Sequence, residues 1–317
     1  MMTKRTRATA LPRVLVGTLY CGENEFDECV ASIRRQRDVE LDHFVLKDLP
    51  KREAHHRLYG TFMERATRFD CFVKVDADTV IEDERLLAKI GEVFREQHWV
   101  LELGIPLYDF FSDQLIPEMN AYRSCVRWTG QDGLFTDSSP VPASNVLHDD
   151  ALAPAAIHCK NPSPFQAFHY GVHRGIKVIQ PGRERRNDLR SWMHWTTLAD
   201  TWRHFRRDGD VRLALAVLGA ELAYRGTFQN EHFDYSHPFT RAVFKEYEGA
   251  TAGAIAREVV RLRRSNWGLL PEGLRWKVLC LRHGARPPAT RLIRRGLRRT
   301  ARRALKPLRR RAVESSR

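Results

Sequence analysis

The sequence has no apolar run that approaches the roughly 20 residues of a membrane-spanning helix. Its best candidate, residues 213–220, is bounded by Arg212 and Glu221. Residues 1–12 are basic, and no apolar stretch follows them. We therefore expect neither a transmembrane span nor a secretory signal, and we expect a cytoplasmic protein.

Paired cysteines are also missing. None of the six cysteines belongs to a Cys-x-x-Cys pair, and several fall on predicted core faces. We expect these cysteines to be reduced thiols, which agrees with a cytoplasmic location.

Two phosphate-binding signatures are absent from the N-terminal part of the chain. The first predicted strand, residues 13–18, is followed by neither Gly-x-Gly-x-x-Gly nor a Walker lysine motif. This absence argues against a dinucleotide-dependent enzyme and against a P-loop ATPase.

Acidic residues are scarce at the C-terminal end. Residues 282–317 contain fourteen Lys or Arg residues and one acid, Glu314, so they carry +13 of the net charge of +14. The rest of the chain therefore carries only +1. We treat residues 282–317 as a basic tail on a nearly neutral body, and residues 1–12 as a basic, disordered N-terminus.

Three interpretations of the basic tail stay open. Apolar residues recur at helical spacing between its arginines, which is typical of an amphipathic helix on an anionic membrane surface. Gly296 and Pro307 weaken a helix and favour a solvated, disordered tail. Arginine runs also neutralise nucleic-acid phosphates, but this tail has no aromatic residue for base stacking. We expect a membrane surface as its partner, and nucleic acid is the weakest of the three.

Strand and helix patterns alternate in the first part of the chain. This order predicts a β-α-β-α-β unit and therefore a mostly parallel sheet flanked by helices. The spacing predicts strands at 13–18, 41–47, 72–75 and 99–106. It predicts helices at 24–36, 53–68 and 82–97. We expect a domain over 13–182, followed by a helical C-terminal region over 183–281.

An apolar strand that stops on two aspartates is the most informative feature of the chain. Phe72-Val73-Lys74-Val75 is followed by Asp76-Ala77-Asp78. Carboxylates at the carboxyl end of a buried strand lie where α/β sheets bind ligands, and such a pair suits Mg²⁺ or Mn²⁺ held against a diphosphate. A second Asp-x-Asp, Asp208-Gly209-Asp210, sits between helical stretches and is interpreted as a solvated turn.

Three stretches together resemble the family-2-like glycosyltransferases of the GT-A fold, a Rossmann-like α/β fold, and especially the bacterial enzymes of surface-polysaccharide assembly. The stretches are Gly17-Thr18-Leu19-Tyr20-Cys21-Gly22-Glu23-Asn24-Glu25-Phe26, Glu53-Ala54-His55 with Leu58-Tyr59, and Lys74-Val75-Asp76-Ala77-Asp78. The resemblance implies that Thr18 and Asp48 bind the nucleotide base. It also implies that Asp76 meets the ribose or a metal-bound water, and that Asp78 binds the metal.

The resemblance further implies a histidine ligand and a cation for the diphosphate. His158, at a predicted strand end, is the first candidate for the metal, and His173 is the second. Arg174 and Lys177 are the candidates for the diphosphate, because a cation neutralises the leaving nucleoside diphosphate. The helix that carries the last three residues is predicted to begin at Ser163-Pro164.

An inverting sugar transfer needs a carboxylate that takes the proton of the acceptor hydroxyl. Asp150 or Asp149 falls where this base is usually found, about 70 residues after the paired aspartates. Trp128, Asp132 and Asp137 would suit an acceptor cleft, although ordinary core aromatics are at least as common.

The sequence therefore predicts a metal-dependent glycosyltransferase that moves a sugar from a nucleotide-diphosphate donor to a glycan or lipid-linked acceptor. It would work at the inner face of the plasma membrane. One alternative is a sugar-nucleotide nucleotidyltransferase, which would need a basic, Gly-rich loop after the first strand. The other is a nucleic-acid-binding or scaffold protein that uses the arginine-rich tail.

Overall fold

The computed structural model describes residues 10–130, 136–183 and 186–283. Residues 1–9 and 284–317 lie outside these ranges, so the predictions for the basic N-terminus and the basic tail fall on residues that are not described, apart from residues 10–12, Arg282 and His283. Within the described ranges, no helix is long and apolar enough to cross a membrane.

Strands dominate the first half of the chain and helices the second. The strands are β1 (Arg13–Tyr20), β2 (Glu40–Lys47), β3 (Cys71–Lys74), β4 (Thr79–Ile81), β5 (Glu102–Asp109), β6 (Gln114–Arg123), β7 (Val146–His148) and β8 (Ala156–His158). The helices are α1 (Phe26–Arg34), α2 (Lys51–Arg65), α3 (Leu86–Glu96), α4 (Pro164–Ile179), α5 (Asp188–Asp208), α6 (Val211–Arg225), α7 (Pro238–Lys245), α8 (Ala252–Ser265) and α9 (Glu272–Arg282).

The strands form one sheet in the order β2-β1-β3-β6-β5-β8-β4, and β7 pairs with β5. β2, β1 and β3 run parallel, which confirms the predicted β-α-β-α-β unit. β6 is antiparallel to both of its neighbours, and four of the seven pairings among the described strands are parallel. The predicted α/β class is correct, and its parallel character is strongest in the N-terminal half.

The sheet curls, because β3 and β4 are close in sequence but distant in strand order. Only residues 75–78 connect them, whereas β6, β5 and β8 lie between them along the sheet. β4 pairs with β8 in antiparallel register, with Thr79 opposite His158. Residues 75–78 therefore connect β3, inside the sheet, to β4, its last strand, across the curl of the sheet.

Helices cover both faces of the parallel part of the sheet. Along β1, Val14 and Val16 belong to the buried cluster that includes residues of α1 and α3. Leu15, between them, belongs to the cluster that includes residues of α2. This alternation follows from the two-residue period of a strand, because successive side chains point to opposite faces of the sheet.

Helices α4 to α9 form a third buried cluster beside the sheet. Its centre is the crossing of α4 and α6, where two glycines allow backbone contact. A Cβ added at Gly171 would overlap the carbonyl oxygen of Ala216, and a Cβ added at Gly219 would overlap that of Phe168. The division of the chain at residues 182 and 183 stays a prediction.

We expect Gly171→Ala to destabilise the protein by about 1–3 kcal/mol, because the added methyl group must push α6 away from α4. Gly60→Ala is the matched control. Gly60 also lies in a helix, and an added Cβ would meet no atom within 4 Å. This control should be neutral or should stabilise α2 by up to about 1 kcal/mol. Urea unfolding measures both changes, and equal stabilities for the two variants would contradict the close crossing.

Candidate metal and nucleotide site

The candidate site lies where the carboxyl ends of β1, β3 and β8 meet. The loop after β1 contributes residues 21–25, the loop after β3 contributes residues 75–78, and β8 ends at His158. Ligands of α/β proteins usually bind at this edge of the sheet. The structure thus places the predicted aspartate pair at the predicted edge.

A buried carboxylate ties two of these segments together. Glu25 accepts hydrogen bonds from the backbone N–H of Asn161 at 2.8 Å and from Nε2 of Gln166 at 2.9 Å. Asn24 adds a bond from its backbone N–H to Oε1 of Gln166 at 3.0 Å. Gln166 is in the first turn of α4, which begins as predicted with Ser163 as its N-cap. The loop after β1 is therefore held against the start of α4.

Asp78, His158 and Cys159 bring three possible metal ligands together, with their ligand atoms all within 4.8 Å of one another. Asp78 Oδ2 lies 3.4 Å from His158 Nε2 and 3.3 Å from Cys159 Sγ. Asp78 Oδ1 is buried and has no hydrogen-bond partner among the described residues. A buried carboxylate oxygen without a partner is costly, and a cation would satisfy it. The donor set therefore fits a divalent metal.

Asp109 orients the imidazole of His158. Its Oδ1 lies 2.7 Å from His158 Nδ1, and its Oδ2 accepts bonds from the backbone N–H and the hydroxyl of Ser112. Burial lowers the pKa of His158, but electrostatic interactions with Cys159 and Asp78 and the hydrogen bond to Asp109 outweigh burial and raise this pKa well above its ordinary value. A carboxylate on Nδ1 leaves Nε2 facing Asp78, as in many metal-binding histidines.

Sequence reasoning missed Asp109 because the predicted strand ended at residue 106. In the structure β5 continues to Asp109, so this aspartate also ends an apolar strand at the carboxyl edge. The same signal that identified Asp76 and Asp78 would have found it with the correct strand boundary.

Asp76 lies apart from the three-residue group. Its Oδ2 accepts a bond from Lys74 Nζ at 2.7 Å. Burial alone would raise its pKa, but Lys74 outweighs this effect and lowers the pKa of Asp76. A carboxylate that remains charged and half-exposed beside the group suits a ribose hydroxyl or a metal-bound water better than direct coordination.

His173 lies in a cationic group and not beside Asp78. Its Nε2 is 2.6 Å from Lys51 Nζ. Burial, Lys51 and Lys177 lower the pKa of His173 well below its ordinary value. Burial together with Lys177 lowers the pKa of Lys51 to about 7. A neutral ring among lysines is a poor place for a cation, and this placement argues against His173 as a metal ligand.

The two predicted diphosphate residues lie on the same helix as His173 and are almost completely buried. Lys177 Nζ is 3.8 Å from Asp137 Oδ2. Arg174 stacks on Tyr170, with its guanidinium carbon 4.5 Å from the ring centre, and Nη1 lies 3.0 Å from His194 Nδ1. The lysines beside Asp137 outweigh its burial and hold its pKa well below the ordinary value.

Glu23 adds a third carboxylate near the aspartate pair. Its Oε2 accepts a bond from the backbone N–H of Cys21 at 2.7 Å. Burial raises its pKa to about 7, and the charges of Asp78 and Asp76 add to this shift. A carboxylate with a pKa near neutrality can accept a proton at neutral pH. Glu23 belongs to one of the stretches that carry the resemblance, but no role is predicted for it from the sequence.

The two residues predicted to meet the nucleotide base have different environments. Thr18 is fully buried within β1, and its Oγ1 lies 3.0 Å from His43 Nε2 on β2. Since β1 continues two residues beyond Thr18, this side chain does not reach the open edge. Asp48 follows β2, is exposed and has a left-handed backbone with φ of 54°. Asp48 is therefore accessible from solvent, whereas Thr18 contacts the neighbouring strand.

Asp149 and Asp150 follow β7, which pairs with the first half of β5. β7, which precedes them, pairs with β5 so that His148 is opposite Gly104, whereas His158 is opposite Asp109. Asp149, one residue beyond His148, is therefore about four residues of strand from His158, which is roughly 13 Å. Asp149 accepts a bond from the backbone N–H of Ala151, and Asp150 is exposed. This separation argues against either residue as the catalytic base of the site.

Trp128, Asp132 and the second Asp-x-Asp are the other residues for which the sequence makes a prediction. Trp128 is buried and stacks on Tyr59 with ring centres 4.6 Å apart, so it is a core residue and does not line a cleft. Asp132 lies outside the described residues. Asp208-Gly209-Asp210 forms the predicted turn, with Asp210 as the N-cap of α6.

The chain has a distant structural likeness to a solved protein, but no likeness in sequence to a family or a curated protein. No family model matches the sequence, and no curated protein matches it. Among solved structures, the chain is similar to the mannosyltransferase PcManGT from Pyrobaculum calidifontis in complex with GDP-Man and Mn²⁺. The two share 13% sequence identity with a TM-score of 0.34, over 86% of this chain and 88% of that chain. A likeness at this level assigns neither an activity nor a ligand to this chain.

Proposed function

We propose that the protein is a metal-dependent glycosyltransferase that moves a sugar from a nucleotide-diphosphate donor to a glycan or lipid-linked acceptor in surface-polysaccharide synthesis. The observation that carries this proposal is the partnerless buried oxygen of Asp78 beside His158, at the carboxyl edge of a nucleotide-binding type of sheet. Such an edge with a cation site suits a substrate that has both a nucleoside and a diphosphate.

Each residue of the site would have a defined task. Asp78 and His158 would hold the cation, and Asp109 would keep the imidazole in position. Mn²⁺ accepts an imidazole more readily than Mg²⁺, so we favour Mn²⁺ of the two. When bound, the cation neutralises charge on the diphosphate as the glycosidic bond breaks. Asp76 would meet the ribose or a metal-bound water.

The cationic group on α4 would stabilise the far side of the diphosphate. Lys177 and Arg174 are buried, so their charges act in a medium where electrostatic interactions are less screened than in water. Asp48, exposed after β2, would contact the nucleotide base. Thr18 would support this contact indirectly through His43.

The loop after β1 favours transfer of a sugar over transfer of a nucleotidyl group. A nucleotidyltransferase would need basic residues in this loop, but the loop carries Glu23 and Glu25. Glu25 is fully engaged with the start of α4. Glu23 is the carboxylate that we propose as the proton acceptor for the acceptor hydroxyl, in place of Asp149 or Asp150.

We expect Asp78→Asn to weaken metal-dependent binding of a nucleoside diphosphate by about 100-fold or more and to abolish turnover, because the cation loses a charged ligand. Calorimetric titration of a panel of nucleoside diphosphates, with and without Mn²⁺, measures the binding. Asp150→Asn is the matched control and should bind and turn over within about twofold of the wild type. Full activity in Asp78→Asn would end the metal hypothesis.

We expect Glu23→Gln to lower kcat by about 10²–10⁴-fold while nucleotide binding persists, because the amide cannot accept a proton. In the wild type, the rate should fall as the pH drops, since protonated Glu23 is inactive. A cation would lower the pKa of Glu23, so this acidic limb should lie between about pH 4 and about pH 7. A pH–rate profile of both proteins checks this, and normal turnover by Glu23→Gln would place the base elsewhere.

We also propose that the protein binds the inner face of the plasma membrane through its basic C-terminal part. Apart from Arg282 and His283, the tail lies outside the described residues. Among the described residues, the turn between α8 and α9 exposes Trp267 and Leu269 to solvent. Their relative solvent-accessible surface areas are 51% and 93%. Arg257, Arg261 and Arg264 lie on the neighbouring α8. Exposed apolar residues next to arginines suit an interface with anionic lipids.

Truncation after His283 should therefore lower the affinity for anionic vesicles by about 100-fold or more at low salt, since each basic residue near the surface contributes about 1 kcal/mol. This end point keeps α9 and the contact of His283 Nε2 with the carbonyl oxygen of Tyr224. Vesicle sedimentation across a salt series measures the change, and Leu269→Glu tests the exposed turn. Equal vesicle binding by truncated and full-length proteins would refute membrane attachment by the tail.

A further inference from the structure

Cys159 belongs to the same group as the two proposed metal ligands. Its Sγ lies 3.3 Å from Asp78 Oδ2 and 3.5 Å from His158 Nε2. We propose that the Cys159 thiolate is a third protein ligand, which makes this a site for thiophilic divalent cations such as Zn²⁺, Fe²⁺ or Co²⁺ in preference to Mg²⁺. This inference rests on the metal centre of the proposed function and extends it to the choice of metal.

The backbone of Cys159 is shaped to bring its sulfur to the site. Its φ is 53°, a left-handed conformation that residues with a Cβ seldom adopt. The backbone N–H of Cys159 donates to the carbonyl oxygen of Asp78 at 2.7 Å. This bond holds residues 78 and 159 side by side with both side chains directed to one point. Uncommon backbone conformations of this kind are concentrated at functional sites.

The buried side-chain amide of Gln166 contacts the sulfur of Cys159 and helps to position it. Gln166 Nε2 lies 3.7 Å from Cys159 Sγ and also donates to Glu25 Oε2. Gln166 Oε1 accepts from the backbone N–H of Asn24, so the amide cannot turn without losing a bond. An N–H group directed at a sulfur stabilises its thiolate form and orients it. His158 is oriented in the same way by Asp109.

The three donors leave room for substrate. One carboxylate, one imidazole and one thiolate give three protein ligands, and a four-coordinate cation would keep one position for a diphosphate oxygen or water. On metal binding, the S–H bond breaks, the sulfur electron pair binds the cation and the proton passes to solvent. Soft thiolate favours Zn²⁺, Fe²⁺ or Co²⁺, whereas Mg²⁺ favours oxygen ligands only.

Cobalt substitution tests this assignment without measuring turnover. Full-length protein titrated with Co²⁺ should develop a thiolate-to-cobalt charge-transfer band in the near ultraviolet as the ligands give up their protons. Cys159→Ser should lose this band. It should also lower Zn²⁺ affinity by about 10–100-fold and change Mn²⁺ affinity much less. Cys125→Ser, at an exposed cysteine away from the site, is the control and should keep the band.

The outcomes separate this inference from the proposed function. Co²⁺ that binds the wild type and is lost in Asp78→Asn, but shows no charge-transfer band, would refute the thiolate ligand and leave the metal centre in place. Unchanged Zn²⁺ affinity in Cys159→Ser would refute it as well. If Zn²⁺, Co²⁺ and Mn²⁺ all fail to bind the wild type even with a nucleoside diphosphate, both the thiolate ligand and the metal-dependent function are overturned. The wild-type spectrum decides the question even if Cys159→Ser does not fold.

Discussion

The antiparallel register between β4 and β8 is the constraint on which the site depends. It sets Thr79 opposite His158 and so places Asp78 beside Cys159, although these residues are about eighty positions apart in the chain. A slip of one residue would turn His158 to the other face of the sheet and away from Asp78. The same pairing of β4 with β8 adds the last strand to the curled sheet. One set of backbone hydrogen bonds therefore determines both the end of the sheet and the position of the site.

Charge is divided between two neighbouring environments at this edge. Around Asp78 the nearby carboxylates are those of Glu23 and Glu25. Oδ1 of Asp78 is buried and has no hydrogen-bond partner among the described residues, so a cation beside it would be stabilising. Around Asp137, lysines from α2, β3 and α4 stabilise a buried carboxylate. Burying charge is costly unless it is paired, so each environment limits what can bind beside it. A substrate that carries a diphosphate between a cation and basic side chains meets both requirements.

Local sequence signals predicted the elements better than they predicted the contacts between them. The alternation of strand and helix patterns predicted the parallel unit, and the apolar run over 72–75 predicted the loop with Asp76 and Asp78, because those signals depend only on neighbours in sequence. The cap at Ser163 was found for the same reason. His158 was identified by resemblance, and the structure brings it to Asp78. The roles of all these residues stay proposals.

The misplaced predictions depended on long-range pairing. Asp149 and Asp150 looked suitable by their distance along the chain, but the pairing of β7 with the first half of β5 keeps them several strand residues away from His158. Asp109 was missed because the end of β5 is set by its partner β6 and not by its own sequence. The cationic surroundings of His173 depend on Lys51, which lies over a hundred residues earlier. No local pattern carries such information.

Anomalous diffraction from crystals grown with Mn²⁺ and a nucleoside diphosphate tests the central claim most directly. The account predicts one strong manganese peak within bonding distance of Asp78 and His158, with a diphosphate oxygen as a further ligand and the diphosphate extending towards Lys177. A peak beside His173, or a nucleotide bound at another edge of the sheet with no metal at Asp78, would contradict it.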